Sequence, residues 1–225
     1  MPDDKKHRLI QLMRQYSFAK KKVVLASGRE SDFFIDCKQT VLSAEGHALV
    51  GEVMLDMLEA HFPCDAVAAV ELGGCPLASA VSLTSYLRGK PLPAIFVRNK
   101  NAKDGKQRLL EGDRVVRPGL RVAVLEDVIT GGSSVLKAIG ILRDAGAEIA
   151  GVLALVDREE GGRDAIRSSA PFLAVASRRD FFPDLRPRFA PSPYAPRTSC
   201  AHALTLHHSR VVPRRCRGQW LQQNT

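Results

Sequence analysis

The amino-acid sequence predicts an α/β fold with a central, mainly parallel sheet flanked by helices. Between residues 43 and 180, short β-rich runs alternate with helical segments, which is typical of parallel strands joined by crossover helices. The predicted strands are residues 65–70, 92–98, 120–127, 149–157 and 171–177. The predicted helices are residues 44–61, 76–88 and 133–145, and the last ends before Gly146, a residue suited to a helix C-terminus.

The segments on either side of this predicted core, residues 43–180, have different patterns. Residues 1–42 predict a small amino-terminal cap, with an amphipathic helix at 5–16 and short strands around a Ser-Gly-Arg turn at 23–25 and 31–37. Residues 181–225 hold six of the thirteen prolines and seven arginines but no lysine. They lack periodic apolar positions, so we expect a disordered tail. A shifted reading frame explains the same change of composition, and both interpretations stay open.

The net charge of +9 does not by itself indicate a nucleic-acid partner. The tail, residues 181–225, has seven arginines against one aspartate and accounts for +6, which leaves +3 for the rest of the chain. That balance is ordinary for a globular protein, so we expect no nucleic-acid partner.

The sequence also predicts a cytoplasmic protein without a membrane partner. Its first residues are charged, and no apolar run approaches the roughly 18 residues of a membrane-spanning helix. The five cysteines are odd in number, lie far apart and form no Cys-x-x-Cys pair, which argues against a disulfide framework and a zinc ribbon. The cysteines and histidines of the tail match no standard zinc spacing, and we predict no metal ligands on the protein.

Residues 122–134 are the most informative stretch for function. A buried strand runs into small residues that open a predicted helix. At such a junction the backbone N–H groups of Thr130 to Ser134 can surround an anion, because Gly131 and Gly132 permit close approach and the helix N-terminus favours negative charge. A phosphate monoester suits this site. The sequence contains neither a nucleotide P-loop nor a dinucleotide-binding glycine motif.

Two carboxylates precede this loop. Glu126 and Asp127 stand at the carboxyl end of the predicted strand, where open α/β sheets bind their ligands. They would repel a phosphate unless they face another group, and ribose hydroxyls fit because carboxylates can accept their hydrogen bonds. Their charge can also stabilise an oxocarbenium-like centre at C1 of ribose, which gives Asp127 a predicted catalytic role. The structural alternative is an acidic strand end before a glycine-rich helix start.

This stretch resembles the phosphoribosyl diphosphate (PRPP) signature of type I phosphoribosyltransferases. The resemblance implies that family's fold and Mg²⁺ held mostly by substrate oxygens and water. Residues 71–76, with paired glycines, resemble the family's first diphosphate loop, and a plain strand-to-helix turn is the alternative. The implied PRPP contacts in the signature are Glu126, Asp127, Val128, Ile129, Thr130, Gly131, Gly132, Ser133 and Ser134.

Two further segments resemble the orotate-specific members of that family. Residues 25–36 are similar to an amino-terminal element in which Ser-Gly-Arg precedes two phenylalanines, and residues 156–158 are similar to the segment with the orotate-binding arginine. For Arg158 the alternative is a surface charge paired with the glutamates that follow it, and for the aromatic pair it is a place in the core. The implied orotate contacts are Thr130, Arg158, Phe34 and Ile35.

A basic loop follows the second predicted strand. Residues 98–106 resemble the family's mobile catalytic loop, with one extra residue between Arg98 and Lys103 and without the His or Tyr expected before Gly105. The resemblance implies that Arg98, Lys100 and Lys103 bind PRPP and that the loop closes over the neighbouring subunit of a homodimer. It also implies a catalytic lysine, with Lys103 preferred to Lys100. A solvated charged loop is the alternative.

The resemblance implies transfer of ribose 5-phosphate from PRPP to orotate, which gives orotidine 5′-monophosphate and pyrophosphate in pyrimidine biosynthesis. Two other functions stay open at this point. One is a phosphoribosyltransferase for a purine base. The other is a regulator that senses PRPP without catalysis and binds nucleic acid through the basic tail.

Overall fold

A computed structural model of the chain describes residues 2–24, 30–98 and 109–182. A short 3₁₀ helix at Asp113–Val115 lies in the connection between the strands Leu110–Glu111 and Arg121–Ile129. None of the helices in the described ranges combines the length and the apolar character needed to cross a bilayer. In chain order the elements are α1 (Pro2–Tyr16), β1 (Phe18–Val24), β2 (Glu30–Ile35), α2 (Lys38–Val41), α3 (Ala44–His61), β3 (Ala66–Val70), α4 (Cys75–Leu87), β4 (Ala94–Val97), β5 (Leu110–Glu111), β6 (Arg121–Ile129), α5 (Ser133–Asp144), β7 (Glu148–Asp157), α6 (Gly162–Arg167), β8 (Phe172–Ser177) and α7 (Arg178–Phe181).

A six-stranded sheet with the order β5-β4-β3-β6-β7-β8 forms the centre. Its strands pair in parallel, except that the short edge strand β5 is antiparallel to β4. The predicted mainly parallel sheet is confirmed. The chain builds outward from β3 through β4, returns to place β6 on the other side of β3, and continues outward through β7 and β8. Open α/β sheets bind ligands at such a reversal of strand order, outside the carboxyl ends of the strands.

Helices cover both faces of this sheet, which explains why its central strands are apolar along their whole length. All five residues of β3 are buried. Val67 and Ala69 pack in one core with α3 and α4. Ala66 and Ala68 pack in a second core with α5. Because successive side chains of a strand point to opposite faces, a strand covered on both sides shows no alternation of apolar and polar residues.

The amino-terminal elements contribute to the first of these cores. Leu9 and Met13 of α1 and Phe33 of β2 are fully buried in the cluster that α3 and α4 also form. The strands β1 and β2 form a separate antiparallel pair. Residues 1–42 therefore share apolar packing with the rest of the described chain, and their standing as a distinct cap stays a prediction.

The predicted strands of the central sheet and the helices between them agree with the structure to within two residues at each end. Helix α3 has the predicted bounds because Ser43 caps its first turn, where its Oγ accepts a hydrogen bond from the Gly46 N–H at 3.1 Å. Helix α5 ends just before Gly146, whose φ of 91° is the left-handed conformation expected there. The predicted strand at 92–98 is shorter in the structure, since the proline at position 93 has no N–H to donate.

Other predictions were wrong or incomplete where a segment is short or polar. The strand predicted at 23–25 begins at Phe18, because three consecutive lysines at 20–22 conceal its apolar residues. Four short elements were not predicted at all: the edge strand β5, which has two residues, and the helices α2, α6 and α7, which have four to six. Such segments are too short for a helical or strand periodicity to appear in the sequence.

The contact between α3 and α4 predicts a stability effect at Gly51. A Cβ at this position would lie 2.7 Å from the backbone carbonyl oxygen of Ala80, which cannot rotate away. We expect Gly51→Ala to lower the free energy of unfolding by about 1–3 kcal/mol, as overpacking does. Urea unfolding followed by circular dichroism measures this change.

The matched control is Gly140→Ala on α5, where a Cβ would meet no atom within 4 Å. We expect this variant to be as stable as the wild type or more stable by up to about 1 kcal/mol, because alanine favours the helix. A Gly51→Ala protein at least as stable as the wild type would contradict the close packing of α3 on α4.

Candidate active site

The candidate site lies at the carboxyl edge of the parallel strands. The neighbouring strands β4, β3, β6 and β7 all end there, and each is followed by a segment that the sequence singled out. Parallel pairing therefore brings segments that are far apart in the sequence to one edge of the sheet. These segments are Arg98 after β4, residues 71–74 after β3, residues 130–132 after β6 and residues 158–161 after β7.

Residues 130–132 and the first turn of α5 form a concave loop. Together with residues of β6 they line a cavity of about 130 Å³. Gly132 is the N-cap residue immediately before α5, and its φ of 81° is a left-handed conformation that only glycine adopts without steric cost. In the part of the chain that the structure describes, no backbone carbonyl accepts a hydrogen bond from the N–H groups of residues 131–134. These donors, at the positive end of the helix dipole, are suited to bind an anion, and the binding of phosphate here stays a prediction.

The start of α6 holds this loop in place. The Gly162 N–H donates to the Thr130 carbonyl at 2.9 Å, and a Cβ on Gly162 would lie 2.5 Å from the same oxygen. A Cβ on Gly132 would lie 3.1 Å from the Gly162 carbonyl oxygen. Gly131 faces open space, so the absence of a side chain there keeps the cavity open. The contact between Gly132 and Gly162 thus sets the shape of the loop.

Glu126 lines the same cavity and is only 8% exposed. Its Oε2 atom is buried and has no hydrogen-bond partner among the described residues. Burial, followed by the negative charge of Asp127, raises the pKa of Glu126 to about 9. At neutral pH the ligand-free site therefore keeps this carboxyl protonated. A buried oxygen without a partner is suited to a ligand that supplies the missing hydrogen bond.

Asp127 faces a different loop, the one that follows β3. A Cβ at Gly73 would overlap the Asp127 carboxylate, so a side chain at this position would displace either the loop or the Asp127 side chain. Asp127 Oδ1 accepts a hydrogen bond from the Val128 N–H at 2.8 Å, and the Cys37 thiol lies 3.9 Å from the Asp127 carbonyl oxygen. The two predicted carboxyl groups also interact with each other, since a side-chain hydrogen bond with Asp127 contributes to the raised pKa of Glu126.

Lys38, which the sequence did not single out, lies within electrostatic reach of Asp127. Its Nζ forms an ion pair with Asp36 Oδ1 at 2.6 Å. This hydrogen bond raises the pKa of Lys38 and lowers the pKa of Asp36, and the charge of Asp127 adds to the effect on the lysine. Lys38 opens the four-residue helix α2, which has no recognisable signal in the sequence.

Arg98 is half-buried and already has acidic partners. Its Nε lies 3.7 Å from Glu71 Oε2, and its Nη1 donates to Glu111 Oε1 at 3.2 Å. Its backbone N–H donates to the Leu109 carbonyl at 2.9 Å, which joins the two ends of the segment 99–108. Arg98 thus connects the end of β4 to the loop after β3.

Several predicted site residues lie outside the described residues. These are Lys100 and Lys103 of the basic loop, the Ser-Gly-Arg turn at 27–29 and the tail from residue 183 onward. The roles predicted for the two lysines stay predictions.

The predicted orotate contacts on β2 point in two directions. Phe33 and Ile35 are 0% and 8% exposed and belong to the core, whereas Phe34 between them is half-buried. The ring of Phe33 packs 5.5 Å from that of Phe18 and 5.6 Å from that of Phe181, measured between centroids. Contacts of orotate with Phe34 and Ile35 stay predictions.

Arg158 is buried, with 8% of its surface exposed. Its Nε and Nη2 lie 3.1 Å from Glu160 Oε1, and Nη2 also donates to the Phe33 carbonyl at 2.9 Å. The Arg158 N–H donates to the Ile129 carbonyl at 3.0 Å, which brings Arg158 beside the concave loop of residues 130–132. The alternative of a surface charge is therefore wrong about exposure, although it correctly anticipated pairing with a glutamate.

The turn that carries Arg158 contains polar residues that the sequence did not identify as functional. Asp157 is fully buried, and its carboxylate accepts hydrogen bonds from the Glu159 N–H and from Arg163 Nε, each at 2.8 Å. The side chain of Glu160 is 10% exposed, and its Oε2 has no hydrogen-bond partner among the described residues. The glycine pair that follows Glu160 was the available signal, since paired glycines mark a close approach of backbones.

The chain resembles several orotate phosphoribosyltransferases in sequence and in structure, although no family model matches it. The orotate phosphoribosyltransferase of Sorangium cellulosum (strain So ce56) is 63% identical over 183 residues, which cover 81% of this chain and 95% of that protein. That of Bradyrhizobium sp. (strain ORS 278) is 39% identical over 178 residues, which cover 77% of this chain and 95% of that protein. The crystal structure of the Mycobacterium tuberculosis H37Rv enzyme in complex with PRPP is 31% identical, has a TM-score of 0.65, and covers 79% of this chain and 99% of that one.

The burial of Glu126 predicts a pH-dependent stability. Its pKa is about 9 in the folded chain, against an ordinary value of 4.5. Between these values the folded state holds a proton that the unfolded state has lost, so the contribution of this group to stability falls as the pH rises from 4.5 to 9. Glu126→Gln abolishes this titration, so its melting temperature should match the wild type near pH 4.5 and exceed it by at least about 2–4 °C at pH 8.

Thermal unfolding of both proteins without ligand, across this pH range, measures the difference. Glu148→Gln on β7 is the control, since Glu148 is an exposed carboxylate, and its melting temperature should follow that of the wild type at every pH. A difference between Glu126→Gln and the wild type that does not change with pH would contradict the raised pKa.

Proposed function

The chain belongs to the orotate phosphoribosyltransferase family, and we propose that it transfers ribose 5-phosphate from PRPP to orotate. The products are orotidine 5′-monophosphate (OMP) and pyrophosphate, in pyrimidine nucleotide biosynthesis. The C1–O bond to pyrophosphate breaks, a bond from C1 to N1 of orotate forms, and the N1 proton is lost to solvent. Because orotate can react as the N1 anion, the reaction does not require a general base on the protein.

One observation carries this proposal: an anion-binding loop and a buried arginine are joined through the backbone. The Arg158 N–H donates to the Ile129 carbonyl at 3.0 Å, immediately before the loop. The 5′-phosphate of PRPP and the carboxylate of orotate are the two anionic groups that must be held apart at a fixed spacing, and this arrangement offers each a separate partner. A purine base has no carboxylate for Arg158, so the arrangement favours orotate.

The phosphate and ribose of PRPP are assigned to the loop after β6 and to the two carboxylates before it. The backbone N–H groups of residues 130–134 bind the 5′-phosphate, and the hydroxyls of Thr130, Ser133 and Ser134 add donors. Glu126 and Asp127 accept hydrogen bonds from the ribose hydroxyls. As pyrophosphate leaves, the negative charge of Asp127 stabilises the positive charge that develops at C1.

The orotate carboxylate is assigned to Arg158. A guanidinium group presents paired donors that match a carboxylate, and burial strengthens the interaction by excluding water. Thr130 contributes a hydrogen bond to the base from the loop side, and Phe34 and Ile35 contribute apolar contacts from β2. The guanidinium carbon of Arg158 lies over the ring of Phe33, 5.4 Å from its centroid, which is a cation–π contact.

Cationic side chains and Mg²⁺ are assigned to the leaving pyrophosphate. Arg98, Lys100 and Lys103 supply positive charge, with Lys103 as the catalytic lysine. Within the described ranges, no cluster of three or more His, Cys, Asp or Glu side chains could hold a metal. A Mg²⁺ ion would be held mostly by PRPP oxygens and water and would supply positive charge to the leaving pyrophosphate.

We further propose that the enzyme is a cytoplasmic homodimer with no nucleic-acid or membrane partner. The described cysteines, Cys37, Cys64 and Cys75, are free thiols, as in a reducing compartment. The dimer is proposed because the family's basic loop acts on the neighbouring subunit, so that Lys103 of one subunit would complete the site that contains Arg158 of the other.

The first test is turnover of orotate by the full chain. Loss of the ultraviolet absorbance of orotate should require both PRPP and Mg²⁺, and Lys103→Ala should lower kcat by about 100-fold, as expected when a charge-stabilising donor is lost. Lys106→Ala, a change of the same kind in the same segment, should leave kcat near the wild-type value. Turnover of adenine, hypoxanthine or xanthine in place of orotate would overturn the proposal in favour of a purine enzyme.

The second test asks whether Lys103 acts between subunits. Lys103→Ala and Arg158→Gln should each be inactive alone, and subunits of the two variants are mixed and allowed to exchange. Random exchange makes about half of the dimers mixed. If the loop crosses the interface, one of the two sites in each mixed dimer has both residues intact, so activity should recover to about a quarter of the wild-type value. If no activity returns although mass spectrometry shows mixed dimers, Lys103 acts within its own subunit.

A further inference from the structure

Arg158 and Glu160 form a buried pair between residues only two positions apart. Their side chains are 9% and 10% exposed, and Glu160 Oε1 lies 3.1 Å from both Nε and Nη2 of Arg158. The Phe33 carbonyl accepts a second hydrogen bond from Nη2 at 2.9 Å. A guanidinium group held at two positions by fixed acceptors cannot rotate freely about its last bonds, so its plane is defined before a ligand arrives.

The backbone between the two residues is bent so that this contact can form. Glu159 has a φ of 58°, which is uncommon for a residue other than glycine. The buried Asp157 stabilises this bend by accepting the Glu159 N–H at 2.8 Å and by pairing with Arg163 at 2.7 Å. The Glu159 side chain is directed outward, where it pairs with Arg179 at 3.1 Å. A strained conformation that several contacts maintain is expected where the geometry has a use.

Stability alone does not explain the pair. A buried ion pair gains little over apolar residues of the same size, because removing two charges from water costs about as much as their attraction returns. Glu160 adds to this cost, since its second oxygen is buried without a hydrogen-bond partner among the described residues. A residue that is unfavourable to bury and is nevertheless placed against a substrate-binding arginine is better explained by what it does to that arginine.

We propose that Glu160 is a positioning residue that orients Arg158 toward the carboxylate of the pyrimidine and so determines the preference for a base that carries this group. The inference rests on the proposed function, because it requires that Arg158 binds the orotate carboxylate. In this role Glu160 acts through Arg158: its Oε1 fixes the plane of the guanidinium group, and its charge partly balances that of the arginine.

The test compares two nucleotides that differ only by the carboxylate, OMP and uridine 5′-monophosphate (UMP), in calorimetric titrations of the full chain. Glu160→Ala should weaken OMP binding by about tenfold or more, as expected for loss of a charge-assisted contact, and should leave UMP binding unchanged. In steady-state assays its KM for orotate should rise while its KM for PRPP stays the same. Unchanged UMP binding also shows that the variant is folded.

Two conservative changes separate orientation from charge. Glu160→Gln keeps an acceptor at the same distance and should retain most of the OMP affinity. Glu160→Asp keeps the charge, but its side chain is one methylene group shorter, so the carboxylate lies farther from the Arg158 guanidinium. This variant should lose OMP affinity as Glu160→Ala does. Glu159→Gln is the matched control on the same turn, since it alters only the outward pair with Arg179 and should bind OMP as the wild type does.

The double variant Arg158→Gln/Glu160→Ala should bind OMP no more weakly than Arg158→Gln alone, because Glu160 acts through the arginine. Equal losses of OMP and UMP in Glu160→Ala, no loss of either, or a Glu160→Gln protein as weak as Glu160→Ala would overturn the inference. Failure of the proposed function has a different result: the wild type itself would neither consume orotate nor distinguish OMP from UMP.

Discussion

The site depends on a place where two segments of backbone touch without side chains between them. Gly132 and Gly162 face each other across the hydrogen bond from the Gly162 N–H to the Thr130 carbonyl. A Cβ on Gly162 would lie 2.5 Å from the Thr130 carbonyl oxygen and would push α6 away from the loop, and a Cβ on Gly132 would lie 3.1 Å from the Gly162 carbonyl oxygen. The turn at 158–161 would move with α6, since it leads directly into that helix. The shape of the loop at residues 130–132 and the position of the buried arginine are therefore consequences of one contact.

Two kinds of buried ionisable group lie around this contact. Asp157 and Arg158 are buried with specific partners, which hold the turn in one conformation. Glu126 is buried with one oxygen unpaired, and its pKa is correspondingly raised. Paired groups build the framework, whereas the unpaired oxygen of Glu126 belongs to a residue that lines the cavity, where a ligand can provide the missing partner. The paired groups lie on the side of β7, and the open position lies at the end of β6.

The loop between β6 and α5 and the start of helix α3 could be predicted from the sequence because their signals are local. An apolar run, two acids and two glycines specify the loop, and Ser43 marks the start of the helix. The role of Glu160 could not be predicted, since the arginine that it orients also contacts Phe33, 125 residues earlier in the chain. The approach of Gly73 to Asp127 was equally hidden, because it follows from the pairing of β3 with β6, and a sequence does not state the order of its strands.

The closure of segment 99–108 has a consequence for how this family can vary. Arg98 and Leu109 are joined by a backbone hydrogen bond at 2.9 Å, and the strands on either side pair as Val97 with Leu110 and Phe96 with Glu111. Insertions and deletions between these anchors leave the register of the sheet unchanged, and the entropic cost of a longer loop grows only slowly with its length. The extra residue that the family resemblance implies between Arg98 and Lys103 would be such an insertion. The length of this segment can therefore change one residue at a time while the pairing of β4 with β5 stays the same.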